Sequence, residues 1–341
     1  KGATGDPLDG KAASIANPLQ TRLEVACHYI NAGMNAEAVQ VLSPLAPASG
    51  AANPLVYYYL ADLNRNLGLD NRAAACLELA AKQSADLVFP FRLETIGVLR
   101  RAIAASPKDG RAPYYLGNLL FEGQPEAAIA CWESARTLEP TLPAIHRNLG
   151  VAYYRIRKDI PAATASLEQA AKLNPRDPRV RLELDQMYEA GKMAPEKRLA
   201  VLEKNHALAL ASDELLSREI SLLVRLGRYD RALELLRGHH FHTWEGGGEI
   251  HGVYAAACRQ RGDSHLRRKD FKRALADFQA ALEYPDNLEV GRPLDGGPAC
   301  EAYYLIGMAY KGMGDKPKAA EYFEKALERR QPPSELLWAQ G

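Results

Sequence analysis

Small and apolar residues recur at spacings of three and four along most of this chain. The segment 303–328, YYLIGMAYKGMGDKPKAAEYFEKALE, shows the pattern most fully. Gly307 and Tyr310 share one stripe, Gly314-Asp315 breaks it, and Ala319, Phe323 and Ala326 form a second. Such spacing predicts two amphipathic helices with a tight turn between them. Small residues would sit where the helices approach, and aromatics would fill the gaps beside them.

The unit repeats. Residues 114–140 give Gly117, Leu120, Ala128, Trp132, Ala135 and Pro140. Residues 148–175 give Gly150, Tyr153, Ala163, Leu167, Ala170 and Pro175. Earlier copies carry Ala26, Tyr29, Gly33, Ala38 and Leu42, then Ala61, Gly68, Ala73, Leu77 and Ala80. Later ones carry Gly227, Tyr229, Ala232 and Leu236, then Gly262, Phe271, Ala274, Phe278 and Ala281. The step from Ala163 to Ala232 spans two periods and requires a degenerate copy, with helices near 178–190 and 195–205 and Pro195 in a first turn. The step from Ala73 to Ala128 leaves room for one extra helix at 92–105. The pattern predicts eight hairpins plus that helix.

These segments resemble the tetratricopeptide repeat, whose period is about 34 residues and whose mark is Leu-Gly and an aromatic, then Ala, an aromatic and Pro. The resemblance implies an all-α fold, a right-handed α-α superhelix, in which stacked hairpins share one continuous core. It implies a single solenoid over 1–341, with repeats at 18–82, 110–205 and 212–329 and a tail at 330–341. Leu336, Leu337 and Trp338 in that tail are expected to cover the open face of the last hairpin.

Regularity fails twice, at 238–250 and at 285–298, PDNLEVGRPLDGGP, which is loop by composition. Both insertions follow the second helix of a repeat, so they should lie side by side on one edge. The expected edge comprises His240, His242, Trp244, Glu245, Glu249, Asn287, Glu289 and Arg292. Four of the eight histidines fall in HHFHTWEGGGEIH, residues 239–251. Their spacing matches no helix or finger signature for a metal, and the glycines at 246–248 would leave a ligand set unorganised. Neither a metal nor a cofactor is expected. Phe241 and Trp244 are expected to tuck into the repeat edge.

A second resemblance rests on FHTWEGGGE, YPDNLEVGR, DPLDGKA, FPFRLETIGVLRRAI and RAPYYLGNLLF. Together they are similar to the C-terminal part of large bacterial proteins in which a galactose-mutarotase-like region of unknown function precedes the repeats. Thr243 stands where Pro is common there, and one glycine of 246–248 is extra. This likeness implies a piece of a longer protein, beginning here at Lys1, whose sugar-handling domain lies upstream.

Composition narrows the function. With 43 basic and 42 acidic side chains the net charge is +1, so nothing favours a nucleic-acid partner. No apolar run approaches the roughly 20 residues of a membrane span. Five scattered cysteines without a CxxC pair read as small buried hydrophobes in a reducing, cytoplasmic compartment. No nucleophile elbow, phosphate loop or dinucleotide fingerprint is present, so no catalytic residue is assigned. Outward positions on the first helices are read as a groove of Tyr58, Asp62, Arg65, Tyr114, Asn118, Arg147, Tyr154, Arg155, Arg181, Asp185, Arg225, Arg259, Arg267 and Tyr304. Arginine forks pair with carboxylates and tyrosine gives contact area at low entropy cost. The expected function is a non-enzymatic scaffold for a protein, a peptide or its own upstream domain. The alternative is a composite carbohydrate site, with Trp244 stacking on a sugar and Glu245 or Glu249 making polar contacts.

Overall fold

A computed structural model describes residues 18–46, 53–86, 88–242, 249–292 and 299–328. Among them every regular element is helical. The chain divides into two compact units, residues 1–175 and 176–341.

The first unit contains α1 (Pro18–Asn31), α2 (Asn35–Leu42), α3 (Pro54–Asn66), α4 (Asp70–Lys82), α5 (Glu94–Ala105), α6 (Arg111–Leu120), α7 (Pro125–Leu138), α8 (Pro143–Ala152) and α9 (Ile160–Leu173). Four antiparallel pairs, α1/α2, α3/α4, α6/α7 and α8/α9, pack as hairpins, and each leans on the next. The unpaired helix is α5, where the 55-residue step required one, and it packs on α3 and α6. Prolines open α3, α7 and α8, where a missing N–H costs nothing.

The second unit contains α10 (Pro178–Ala190), α11 (Pro195–Lys204), the single turn α12 (His206–Ala209), α13 (Asp213–Arg225), α14 (Tyr229–Gly238), α15 (Glu249–Arg267), α16 (Phe271–Ala280), α17 (Cys300–Gly312) and α18 (Lys316–Glu328). Its hairpins are α10/α11, α13/α14, α15/α16 and α17/α18. The degenerate copy therefore exists, with α12 as an added turn.

One geometric device holds the hairpins together. A glycine of the first helix lies against a large side chain of the second: Gly117 on Trp132, Gly150 on Leu167, Gly262 on Phe278 and Gly307 on Phe323. A Cβ at Gly117 would come within 2.6 Å of Trp132 Cδ1. Seven of the eight hairpin turns hold one left-handed residue, and the α6–α7 turn holds none. Gly33, Gly68, Gly227 and Gly314 fill that place in four hairpins, while Lys158, Lys192 and Lys269 take positive φ in three others. Ahead of Lys158, residues Tyr153–Arg157 widen into a π turn. That is a local departure the sequence period did not announce.

Several buried charges are neutralised inside the units. Asp62 is gripped by Arg101, whose Nη2 donates at 2.8 Å. Asp185 accepts from Arg198 Nη2 at 2.8 Å and from Arg218 Nε, and Glu189 joins both guanidinium groups. This cluster ties α10, α11 and α13 together. The Arg218 bond, with help from Arg198, holds the Glu189 carboxyl below its usual range against the opposing effect of burial.

Candidate functional site

In the first unit, α6 and α8 run past each other with α7 behind them, and Ala85, Asp86, Val88, Phe89 and Pro90 line one end. Between them lies a cleft of about 490 Å³, lined by Tyr114, Asn118 and Phe121 of α6, Trp132 of α7, Arg147, Asn148 and Val151 of α8, and Asp86, Val88 and Phe89 of the connection. The Gly117–Trp132 contact sets the indole so that Nε1 donates to Asn118 Oδ1 at 3.1 Å and to the Tyr114 carbonyl at 3.2 Å. Asn148 Nδ2 donates to the same Asn118 Oδ1 at 2.9 Å. Two amides from successive first helices thus stand side by side, thirty positions apart in sequence. Each amide carries two donors and an acceptor, more than these bonds consume.

The cleft carries both signs of charge, with Arg147 on one side and Asp86 on the other. Burial pushes the Tyr114 phenol upward, while its bond with Asn118 and the Arg147 charge oppose that rise. The lip is apolar and open. Phe89 is 74% exposed, and Phe91 and Leu93 beside it are exposed too. No sequence period marked those three, because the connection before α5 has none.

The remaining groove positions separate into three groups. Tyr58 is a correction: it is fully buried, donating to Asp109 Oδ2 at 2.6 Å, and so cannot face a ligand. Asp62 and Asp185 are likewise buried in the ion pairs above. The first-helix stripe is wide enough that its flank enters the core, and only a partner from a distant helix reveals which flank. Tyr154, Arg155 and Arg225 are exposed; Lys158 Nζ lies 5.7 Å from the Tyr154 ring centroid. Arg65 is exposed, and Arg181 is half-buried. Arg267 pairs with Asp263 at 2.7 Å on its own helix. Arg259 pairs with Glu301 at 2.7 Å, and both line a cleft near Tyr304.

The two insertions meet in the second unit. Phe241 N donates to the Asn287 carbonyl at 2.8 Å, and the Phe241 ring is 1% exposed. Asn287 Nδ2 donates to the carbonyls of Leu236 and His239, each at 2.7 Å. His240 Nε2 lies 2.8 Å from Glu289 Oε1. Asp213, at the start of α13, accepts from His242 N at 2.9 Å and contacts His239 Nε2 at 2.7 Å. Burial pulls the Asp213 carboxyl up, but the His239 and His242 bonds prevail and leave it below its usual value. His251 stacks on Tyr284 with ring centroids 3.7 Å apart, and Arg292 lies over the same ring at 5.9 Å. Glu249 opens α15. Trp244 and Glu245 lie outside the described residues. Among the described residues, no three His, Cys, Asp or Glu side chains converge as a metal would need.

A tetratricopeptide-repeat family model matches residues 300–331, and a second such model matches residues 121–156. The chain carries tetratricopeptide repeats. The second match runs from the end of α6 through Trp132 to the π turn, and so includes Arg147 and Asn148. Solved structures similar to this repeat protein include YrrB, described as a TPR protein with an unusual peptide-binding site. The likeness has 17% identity and a TM-score of 0.36, covering 71% of this chain and 97% of that one. MamA is similar at 16% identity and TM-score 0.27, with 81% and 98% covered. TTC0263 of Thermus thermophilus, a thermophilic TPR protein, is similar at 20% identity and TM-score 0.33, with 60% and 98% covered. Among the described residues, no helix is long and apolar enough to cross a membrane.

Proposed function

We propose that this repeat protein is a non-enzymatic interaction scaffold that holds an extended peptide in the α6–α8 cleft. One observation carries the reading: the adjacent Asn118 and Asn148 amides on the cleft wall. An extended peptide presents backbone N–H and C=O groups that such amides match without demanding a particular side chain. Phe89, Tyr114 and Phe121 offer an apolar seat for one residue of the peptide, and Arg147 offers a fork for a carboxylate beside it. The peptide belongs to another protein or to a domain preceding these repeats. The edge made by the two insertions is a second contact surface, with His240, His242 and Arg292 exposed on it.

The test begins with a 12-residue phage-displayed peptide library selected on the whole chain. Binding of a selected peptide is then measured by fluorescence anisotropy. Asn148→Ala should weaken it about tenfold, the worth of one or two lost hydrogen bonds. Arg147→Glu should abolish any preference for acidic peptides, and Arg225→Glu, in the second unit, should change nothing. Selected peptides that bind both cleft variants as tightly as the parent protein would refute the proposal.

A further inference from the structure

The turns of the last three hairpins share one sign of charge. Windows of eleven residues ending on the repeat alanine read LLVRLGRYDRA at 222–232, SHLRRKDFKRA at 264–274 and AYKGMGDKPKA at 309–319. Together they hold eleven basic and three acidic side chains, in a chain whose net charge is +1. The same windows in the first unit, ending at Ala38, Ala73, Ala128 and Ala163, hold five of each sign. The repeat pattern therefore does not impose the excess. The three turns are also neighbours in space. Tyr229 of the first lines a cleft of about 700 Å³ together with Arg267 and Arg268 of the second. Gly312, at the end of α17, lies against Phe271, the first residue of α16, so that a Cβ there would stand 2.5 Å from Phe271 Cδ1. The result is one basic edge, at the other end of these helices from the two insertions.

Arg225, Arg268, Lys269, Lys272, Lys311 and Lys316 are exposed, and none of them forms an ion pair among the described residues. The pairs that do form, such as Arg267 with Asp263 and Arg273 with Asp270, join groups within four positions of each other at the surface. Such pairs are worth little in water, so their arginines stay available to a better anion. Cations crowded on one edge repel each other and raise the local concentration of an oppositely charged ligand. We propose that this edge binds a run of aspartates and glutamates in another protein. Helices pack about 8–10 Å apart, so three successive turns span about 20–30 Å. An extended segment rises about 3.3 Å per residue and covers that span with about six to nine residues. The edge suits carboxylates better than bases or lipid. Its rings, Tyr229, Phe271 and Tyr310, are half-buried, whereas stacking on a base needs an open ring. Among the described residues of these turns, Met313 is the single large apolar side chain exposed, too little to hold a bilayer.

The probe is fluorescein-labelled decaglutamate, titrated with the whole chain and followed by anisotropy. It should bind in 50 mM salt and weaken at least about tenfold in 500 mM, where the screening length falls to a few ångström. Arg268→Glu, Lys272→Glu and Lys316→Glu together should weaken it at least about tenfold with unaltered circular dichroism. All three sites are exposed, and Lys272 and Lys316 lie in first turns of helices, where an acidic side chain is favourable. Arg72→Glu, Arg100→Glu and Lys108→Glu, exposed sites of the first unit, make the same change of net charge and should weaken binding less than about twofold. Equal weakening by the two triple variants overturns the proposal, because overall charge would then explain the binding. So does the absence of binding in 50 mM salt. Tighter binding of a ten-nucleotide oligouridine, or of phosphatidylserine vesicles, than of decaglutamate also overturns it and gives the edge to a nucleic acid or a membrane.

Discussion

Replacing Gly117 by alanine tests the contact on which the α6–α8 cleft is built. The new Cβ would lie 2.6 Å from Trp132 Cδ1 and 2.9 Å from Cε2, so the indole must move. Overpacking of this kind costs about 1–3 kcal/mol. Movement of the indole also strains or breaks its bonds to Asn118 Oδ1 and the Tyr114 carbonyl, at about 0.5–1.5 kcal/mol each. Alanine returns about 0.5–1 kcal/mol through better helix propensity. The balance is a loss of about 3 kcal/mol in the first unit. The assay is urea unfolding followed by Trp132 emission, in a chain whose Trp244 and Trp338 are phenylalanine so that the signal comes from one indole. A companion Trp132→Ala change closes a double-mutant cycle, all four proteins being unfolded in urea and followed by circular dichroism. Because the two sites touch, the double variant should fall short of additivity by more than about 1 kcal/mol. A Gly117→Ala protein within about 0.5 kcal/mol of its parent, with unshifted emission, would show that the helices have slack here and that the contact does not position the indole.

Two further expectations concern the second unit. Lys269 holds φ of 61° in the α15–α16 turn with its side chain exposed, so Lys269→Gly should raise stability by about 0.5–1 kcal/mol, measured by denaturant midpoint. Asp213 has a lowered folded-state pKa, so its contribution is present above the unfolded value of about 3.9 and is lost as pH falls through the lower folded value. The stability difference between the parent and Asp213→Asn should therefore be full at pH 6 and shrink below about pH 4; a difference that grows on acidification would reverse the assignment.

The hairpins were legible because their signal is periodic and local. Gly117 with Trp132, or Gly307 with Phe323, can be read from a window of a few dozen residues, and the 55-residue step announced α5 without any structure. The insertions were legible for the same reason, as departures from a counted period. Burial of Tyr58, Asp62 and Asp185 was not, because each is settled by a partner well away in sequence: Asp109, Arg101, or Arg198 and Arg218. A polar residue on the edge of an amphipathic stripe looks the same whether a distant arginine waits for it or not. The left-handed lysines were invisible because nothing in their type requires that conformation. At the cleft, Tyr114, Asn118 and Arg147 could be named from their place on first helices. Phe89 and Asn148 could not, since one sits in an aperiodic connection and the other acts only through its neighbour's amide.

The side chain of Asn287 ends a helix made fifty residues before it. Carbonyls in the last turn of a helix lack intrahelical donors. At the end of α14 two of them, from Leu236 and just beyond it His239, receive theirs from the other insertion rather than from any residue that follows. The two irregular segments are therefore one mechanical part in two pieces. Trimming 285–298 would fray α14 and release Phe241, so the lengths of these loops are free to change in step and not one at a time.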